Sequence, residues 1–222
     1  MPKISIKNIF LFAIAFLVFI ILLKFLSDWS FPDTSWPLEK GEKVKMETSQ
    51  PLVQKFTASR DGLERIKVLF ANSSLGDGGI LEMKIYDETC SQLLRESSLK
   101  VTSLDSGNII DFTFSRIPNS KDKSFCLNLA YKPQKGAKSA NIFLLNNPSP
   151  QSQFLSLNGQ ERPGQSIAMR PAYQNSSLWQ NIVELDRRMS QYKPWFLKSY
   201  YLLIIAFLFI FFSILSVILL IL

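Results

Sequence analysis

Residues 54–87 read QKFTASRDGLERIKVLFANSSLGDGGILEMKIYD, and this stretch predicts β-structure. In two segments of this stretch, residues 66–70 and 81–85, large apolar side chains occupy every second position, which is the spacing of one face of a strand. The pair Asp61-Gly62 is a strong hairpin signal, and a glycine-rich turn separates the two segments. The stretch therefore predicts short antiparallel strands joined by tight turns.

The same alternation continues on both sides of this stretch, over residues 51–174. Short strands that recur about every ten residues between turn sequences are typical of an antiparallel β-sandwich. We therefore predict a mainly β, jelly-roll-like sandwich. The alternating apolar positions are Ile66, Val68, Phe70, Leu81, Met83, Ile85, Ile110, Phe112, Phe114, Phe125, Leu127, Leu129 and Tyr131. Of these, Phe112, Phe125 and Leu127 are predicted to sit in the core. Further strands are predicted near 52–58, 92–101, 140–145 and 166–170.

Two polar segments lack this pattern. Residues 28–50 are rich in Pro, Lys and Glu, and we predict an extended linker there. Residues 146–165 are rich in Asn, Pro, Ser and Gln, a composition typical of loops.

Two apolar runs bracket the polar region. Residues 9–23 are all hydrophobic, and residues 201–222 are hydrophobic apart from two serines. Because a helix needs about 20 mostly apolar residues to cross a bilayer, we predict transmembrane helices over 9–27 and 195–222. A cleaved signal peptide is the alternative for the first run, and a buried core helix is the alternative for the second. A chain that stops inside an apolar run fits either a piece of a larger polytopic protein or a small protein whose last helix packs against partners.

Residues 175–194 are predicted to form an amphipathic helix beside the membrane, because apolar residues recur there at helical spacing. The helix either caps the sandwich or lies on the bilayer, or it serves as a stalk or a partner-binding helix. Aromatic residues favour the headgroup level, and basic residues near an anionic surface attract lipid headgroups. The residues predicted to form a membrane or partner interface are Trp29, Trp36, Ile182, Leu185, Arg187, Arg188, Met189, Lys193, Trp195 and Lys198.

The basic residues beside the two apolar runs give conflicting indications of how the chain is oriented in the membrane. Lys3 and Lys7 favour a cytoplasmic N-terminal tail over residues 1–8, whereas four basic residues flank the second run on the loop side. The first helix usually dominates, and long loops cross the membrane largely regardless of their charge. We therefore expect a cell-membrane protein with two spans, an extracytoplasmic domain and both termini in the cytoplasm.

The composition of the chain limits the kinds of catalytic, metal-binding and nucleic-acid-binding site that it can form. The chain has no histidine, which excludes Ser-His-Asp and Cys-His catalysis and histidine-ligated metal sites. Outside the apolar runs and their flanks, 21 basic residues face 18 acidic ones, a balance too mild for a nucleic-acid surface. Since no catalytic motif is present either, we expect a protein that is not an enzyme and that needs no cofactor.

The two cysteines allow two interpretations. Cys90 and Cys126 either form a disulfide, as an extracytoplasmic domain allows, or remain two free thiols.

The acidic residues in the predicted turns supply oxygen atoms of the kind that bind calcium, but without EF-hand spacing they are more typical of solvated turns. These acids are Asp77, Asp87, Glu88, Asp105 and Asp111. Carbohydrate is one candidate ligand, although all four tryptophans lie near the apolar runs, which leaves Tyr86 and Tyr173 as candidate platforms.

The 54–87 stretch, together with IIDFTFSRIPNSKDKSFCLNL (109–129) and AMRPAY (168–173), resembles the extracytoplasmic jelly-roll domain of uncharacterised bacterial polytopic membrane proteins. Some of those proteins are similar to lipid-linked-sugar glycosyltransferases. The resemblance spans about residues 50–174 and implies a carbohydrate-binding-module-like sandwich, with no catalytic residue carried over.

Three functions follow as hypotheses. The first is a non-enzymatic, membrane-anchored accessory or interaction module, in cell-envelope glycan or lipid-linked sugar processes. The second is the N-terminal part or a subunit of a membrane glycosyltransferase. The third is a structural subunit of a larger membrane assembly. In each case the expected partners are the lipid bilayer and another membrane protein.

The topology is testable with reporter fusions. Alkaline phosphatase fused after Gly136 should be active, because the enzyme folds only outside the cytoplasm, and a cytoplasmic fluorescent reporter at the same position should be silent. Colony colour and whole-cell fluorescence measure the two activities. The opposite pattern would show that the domain is cytoplasmic.

Overall fold

A computed structural model of the protein describes residues 17, 20–21, 24–25, 30–46, 50–71, 79–101, 109–134, 140–146, 148–174, 177–190, 204 and 207–208. The chain divides into two units. One comprises residues 30–174, and the other comprises residues 1–29 and 175–222.

The described strands all belong to the 30–174 unit. In chain order they are Ser30–Pro32 (β1), Glu42–Lys45 (β2), Leu52–Thr57 (β3), Leu63–Leu69 (β4), Gly79–Tyr86 (β5), Leu93–Val101 (β6), Ile109–Ile117 (β7), Ser124–Pro133 (β8), Asn141–Leu145 (β9), Ser152–Leu157 (β10), Gln160–Glu161 (β11), Ser166–Ile167 (β12) and Met169–Gln174 (β13). They form three antiparallel sheets, in the orders β1-β13-β4-β7, β11-β10-β3-β8-β5-β6 and β12-β9-β2. The prediction of a mainly β, antiparallel domain is confirmed.

One hydrophobic core holds these sheets together. It takes side chains from all three, among them Ile66 of β4, Leu81 of β5 and Ile142 of β9, each with no exposed surface. The three residues predicted to sit in the core, Phe112, Phe125 and Leu127, are buried, and so are the other alternating apolar positions. Sheets that share a core through their apolar faces are the arrangement of a β-sandwich.

The segment predicted as a linker is part of this fold. Residues 30–46 contribute β1 and β2, which pair with β13 and β9. Trp36 is fully buried, and its ring meets the ring of Phe56 edge-on at 6.0 Å between centroids. Both strands lie at sheet edges, and β2 is mostly solvent-exposed, so its composition resembles that of a loop.

The segment predicted as a loop also contains strands. Within 146–165, β10 pairs with β3 on one side and with β11 on the other. Only Leu155 and Leu157 of β10 are buried, which is too short an apolar pattern to show against the surrounding polar residues. The strand predicted near 166–170 divides into β12 and β13, and β13 continues to Gln174.

A buried glutamine compensates an irregularity in β10. The pairing of β10 with β3 shifts register between Ser152 and Phe154, a β-bulge. Gln54 has no exposed surface, and its Nε2 donates to the Phe154 carbonyl at 2.8 Å and to Ser152 Oγ at 3.0 Å. Its Oε1 accepts from the backbone N–H of Ile167 at 3.2 Å. The side chain therefore satisfies the Phe154 carbonyl beside the bulge and the backbone N–H of Ile167 in β12.

A second polar cluster holds β1 and the segment after it against the sandwich. The carboxylate of Asp33 accepts hydrogen bonds from the Ser35 backbone N–H at 3.0 Å and from the Ser59 hydroxyl. The Ser59 backbone N–H in turn donates to the Tyr173 hydroxyl at 3.1 Å. Burial raises the pKa of Tyr173 to about 12, so its phenol stays protonated at physiological pH.

The second unit contains a helix where the apolar spacing predicted one, over Leu178–Ser190 (α1). Among the described residues, no helix has both the length and the hydropathy that crossing a membrane requires. The predicted spans over 9–27 and 195–222 lie almost entirely outside the described residues.

Core packing is testable on β7, where adjacent residues point to opposite faces. Phe112→Ala should lower the free energy of unfolding by about 3–5 kcal/mol, because the buried ring would leave a cavity. The matched control Thr113→Ala, at an exposed position, should change it by no more than about 0.5 kcal/mol. Chemical denaturation of the purified protein measures both. Equal effects of the two substitutions would show that the register of β7 is wrong.

Candidate functional site

The helix α1 presents an exposed apolar face. Trp179 and Val183 are one turn apart and therefore lie on the same side of the helix, with 59% and 50% of their surfaces exposed. Met189 near the helix end is 39% exposed. Large exposed apolar side chains that cluster on one face are typical of contact with a protein or a membrane.

The residues chosen from sequence lie beside this face. Ile182 and Leu185 are half-buried, and they continue the apolar stripe next to Trp179 and Val183. The sequence reasoning did not include Trp179 or Val183 in the interface, although their spacing of four residues is the signal that places them on one face.

The two arginines of α1 are paired within the helix. Glu184 accepts from Arg187 through both carboxylate oxygens, at 2.9 Å from Nε and 2.8 Å from Nη2, and it also accepts from Arg188 Nε at 2.8 Å. These hydrogen bonds raise the pKa of Arg187. The three side chains together carry a net charge of +1, so an anionic headgroup would have to compete with Glu184 for either guanidinium.

The other predicted interface residues divide into two groups. Trp36 lies in the core of the 30–174 unit, so its predicted place at a membrane or partner interface is corrected: its neighbours are Phe56 and the sheets around it. The remaining four lie outside the described residues, and they are Trp29, Lys193, Trp195 and Lys198.

In the structure, Cys90 and Cys126 form a disulfide, with their Cα atoms 5.3 Å apart. Cys126 is buried on β8, whereas Cys90 is exposed in the turn between β5 and β6. Asp87 orders this turn by accepting from the Thr89 hydroxyl at 2.7 Å and from the backbone N–H of Gln92 at 3.0 Å. These hydrogen bonds lower the pKa of Asp87. Its carboxylate is therefore engaged in holding the turn that presents Cys90.

The acids considered as calcium ligands do not form one metal site among the described residues. Asp111 lies on β7 and forms ion pairs with Arg65 at 3.7 Å and Lys67 at 3.6 Å, whereas Asp87 lies in the turn after β5. Asp77 and Asp105 lie outside the described residues. Within the described part of the chain, no group of three His, Cys, Asp or Glu side chains is arranged to hold a metal ion.

A polar trough of about 410 Å³ crosses the outer face of β5, β6 and β8. Glu82 and Lys132 form an ion pair there at 2.6 Å, and Lys84 lies opposite Glu96 in the pairing of β5 with β6. Opposite charges on neighbouring strands satisfy one another, which is typical of a solvated sheet surface. Of the two candidate tyrosine platforms, Tyr173 is buried and Tyr86 is half-buried.

No family model matches this chain, and no curated protein matches it. A solved structure of the infectious bursal disease virus Gx strain is similar over 68% of this chain and 39% of its own, at 16% identity and a TM-score of 0.29. The match thus spans well under half of that chain, and so low a TM-score carries no argument about fold or function.

The disulfide should contribute measurably to stability. Replacing both cysteines, as Cys90→Ala with Cys126→Ala, should lower the free energy of unfolding by about 2–4 kcal/mol, because the bond closes a loop between residues 36 apart in sequence. Urea denaturation with and without dithiothreitol measures this. The reductant should destabilise the wild type and leave the double variant unchanged. An equal response of both proteins would contradict the prediction.

Proposed function

We propose that the protein is a membrane-anchored, non-enzymatic interaction module, with a jelly-roll-like β-sandwich held outside the cytoplasm by two transmembrane helices. The exposed apolar face of α1 carries this proposal. Trp179 and Val183 expose half or more of their surfaces immediately before the second apolar run of the sequence. A helix in that place would lie at the interface of the bilayer and contact lipid or a neighbouring membrane protein.

The disulfide supports the extracytoplasmic location. Bonds such as Cys90–Cys126 persist in oxidising compartments and are rare in the reducing cytoplasm. The basic N-terminal tail favours the same orientation. The resemblance to jelly-roll domains of bacterial membrane proteins favours the cell envelope as the setting.

The polar groups of the sandwich support a role without catalysis. The chain has no histidine, and several charged groups of the outer faces pair with one another, as in the Glu82–Lys132 pair and the Arg65–Asp111–Lys67 cluster. A nucleophile needs a neighbouring base or a strongly lowered pKa to react. These ion pairs stabilise the sheets and are not arranged as a nucleophile with a base, so the proposed function is binding a partner.

Site-specific photocrosslinking tests the role of α1. A photoreactive residue at Trp179 or Val183, introduced in the full chain in its native membrane, should capture phospholipid or an integral membrane protein. The same residue at Ser177, which is exposed immediately before the helix and lies on the opposite side from Trp179 because it is two positions away, is the matched control and should capture much less. Mass spectrometry of the adducts identifies what is captured.

A substitution at Glu184, which holds Arg187 and Arg188, tests the same helix in a second way. Glu184→Gln removes the carboxylate that holds Arg187 and Arg188, so it should increase capture of anionic lipid from position 183. Equal capture from positions 177 and 183 would show that the apolar face of α1 is not a contact surface.

A further inference from the structure

The two ends of the 30–174 unit lie side by side at one end of the four-stranded sheet. Ser30, the first residue of β1, pairs with Gln174, the last residue of β13. The Gln174 N–H donates to the Gly62 carbonyl at 2.8 Å, and the Gly62 N–H donates to the Ile117 carbonyl at 3.1 Å. These residues form a row across the end of the sheet. Because neighbouring strands lie about 4.8 Å apart, the row is roughly 15 Å long.

Two turns extend the same end of the unit. One covers residues 58–62, between β3 and β4, and the other covers residues 118–123, between β7 and β8. We call them the basal turns. Ser120 joins them, because its hydroxyl donates to the Arg60 carbonyl at 2.7 Å and accepts from the Leu63 backbone N–H at 3.1 Å. The basal turns are therefore one connected surface beside the row.

The second basal turn presents two lysines to solvent. Lys121 and Lys123 are exposed, and neither ammonium group forms an ion pair with a described residue. With Asp122 between them, this segment carries a net charge of +1. The Asp61 carboxylate nearby accepts from the Lys121 backbone N–H at 3.0 Å, so it holds the turn. The exposed acid Glu88 belongs to the turn after β5, on the other side of β8 from β3.

Two short connections limit how far this end can lie from the membrane. In the proposed function, on which this inference rests, the first transmembrane helix ends at residue 27 and α1 lies at the bilayer interface. Ser30 follows residue 27 by three positions, and Gln174 precedes α1 by four positions. Since each residue spans at most about 3.6 Å, these connections reach no more than about 11 Å and about 14 Å. The row that contains both residues is therefore near the headgroups.

We propose that the basal turns lie against the bilayer and that Lys121 and Lys123 bind the phosphate groups of phospholipid headgroups. An ammonium group only donates hydrogen bonds, and phosphate oxygens accept them. The charges act over about 8–10 Å in physiological salt, which is comparable to the length of the connections. The turn at 158–159, between β10 and β11, then faces away, about 20 Å from the base, the length of the six residues of β3.

Photocrosslinking of the full chain tests this proposal. The protein is reconstituted in vesicles of phosphatidylcholine and phosphatidylglycerol in equal amounts. A photoreactive residue replaces either Asn119, exposed in the second basal turn, or Gln160, exposed on β11 at the far end. Mass spectrometry of the adducts should show phospholipid captured from position 119 and much less from position 160. Equal capture from the two positions would overturn the proposal.

Neutral variants test the role of the lysines. Lys121→Gln with Lys123→Gln should lower phospholipid capture from position 119 roughly fivefold, the factor that one basic residue contributes near an anionic surface. Lys45→Gln with Lys100→Gln removes the same charge from two exposed lysines at the far end, and it should leave the capture unchanged. Equal effects of the two double variants would overturn the proposal. If the first double variant does not fold, the comparison of positions 119 and 160 decides.

Alkaline extraction of the same vesicles separates this proposal from the proposed function. A chain that stays in the bilayer but captures no phospholipid from position 119 would overturn the basal contact alone. A chain that is extracted would overturn the membrane anchoring, and the basal contact with it.

Discussion

The pairing of β8 between β3 and β5 is the constraint on which the rest of the 30–174 unit depends. In this register Leu129 lies opposite Leu52 on β3 and opposite Met83 on β5, and all three side chains enter the core. A slip of one residue would turn the whole apolar face of β8 towards solvent. The same register places Cys126 on the outer face, where the turn after β5 brings Cys90 to it. Core packing and the disulfide thus depend on one set of backbone hydrogen bonds.

The polar groups of this unit fall into two classes with different consequences. Some, such as Gln54 and Asp33, have their hydrogen bonds made by neighbouring strands and turns, and they hold irregular backbone in place. Others keep a buried atom without a hydrogen bond among the described residues, as Trp36 Nε1 and Ser166 Oγ do. Each atom of the second kind costs roughly 1–3 kcal/mol of stability.

The sequence by itself determined the fold class and most of the core. Period-two alternation depends only on which residues neighbour each other along the chain, so it identified β4, β5, β7 and β8 and their buried faces. Helical spacing likewise located α1, because residues three and four apart share a face. The absence of histidine from these 222 residues is also a property of the sequence alone, and it predicts that none of them supplies an imidazole base or metal ligand.

Only the tertiary structure decided the edges of the sheets and the candidate sites. β2 is mostly exposed, so its composition resembles that of a loop, and its partner β9 lies far away in sequence. Trp36 has the local context of an interfacial residue, yet it is buried because the chain folds β1 onto β13. The exposure of Phe154 follows from a bulge that exists only in the pairing with β3. Such features arise from contacts between segments about a hundred residues apart in sequence, so a pattern among neighbouring residues cannot predict them.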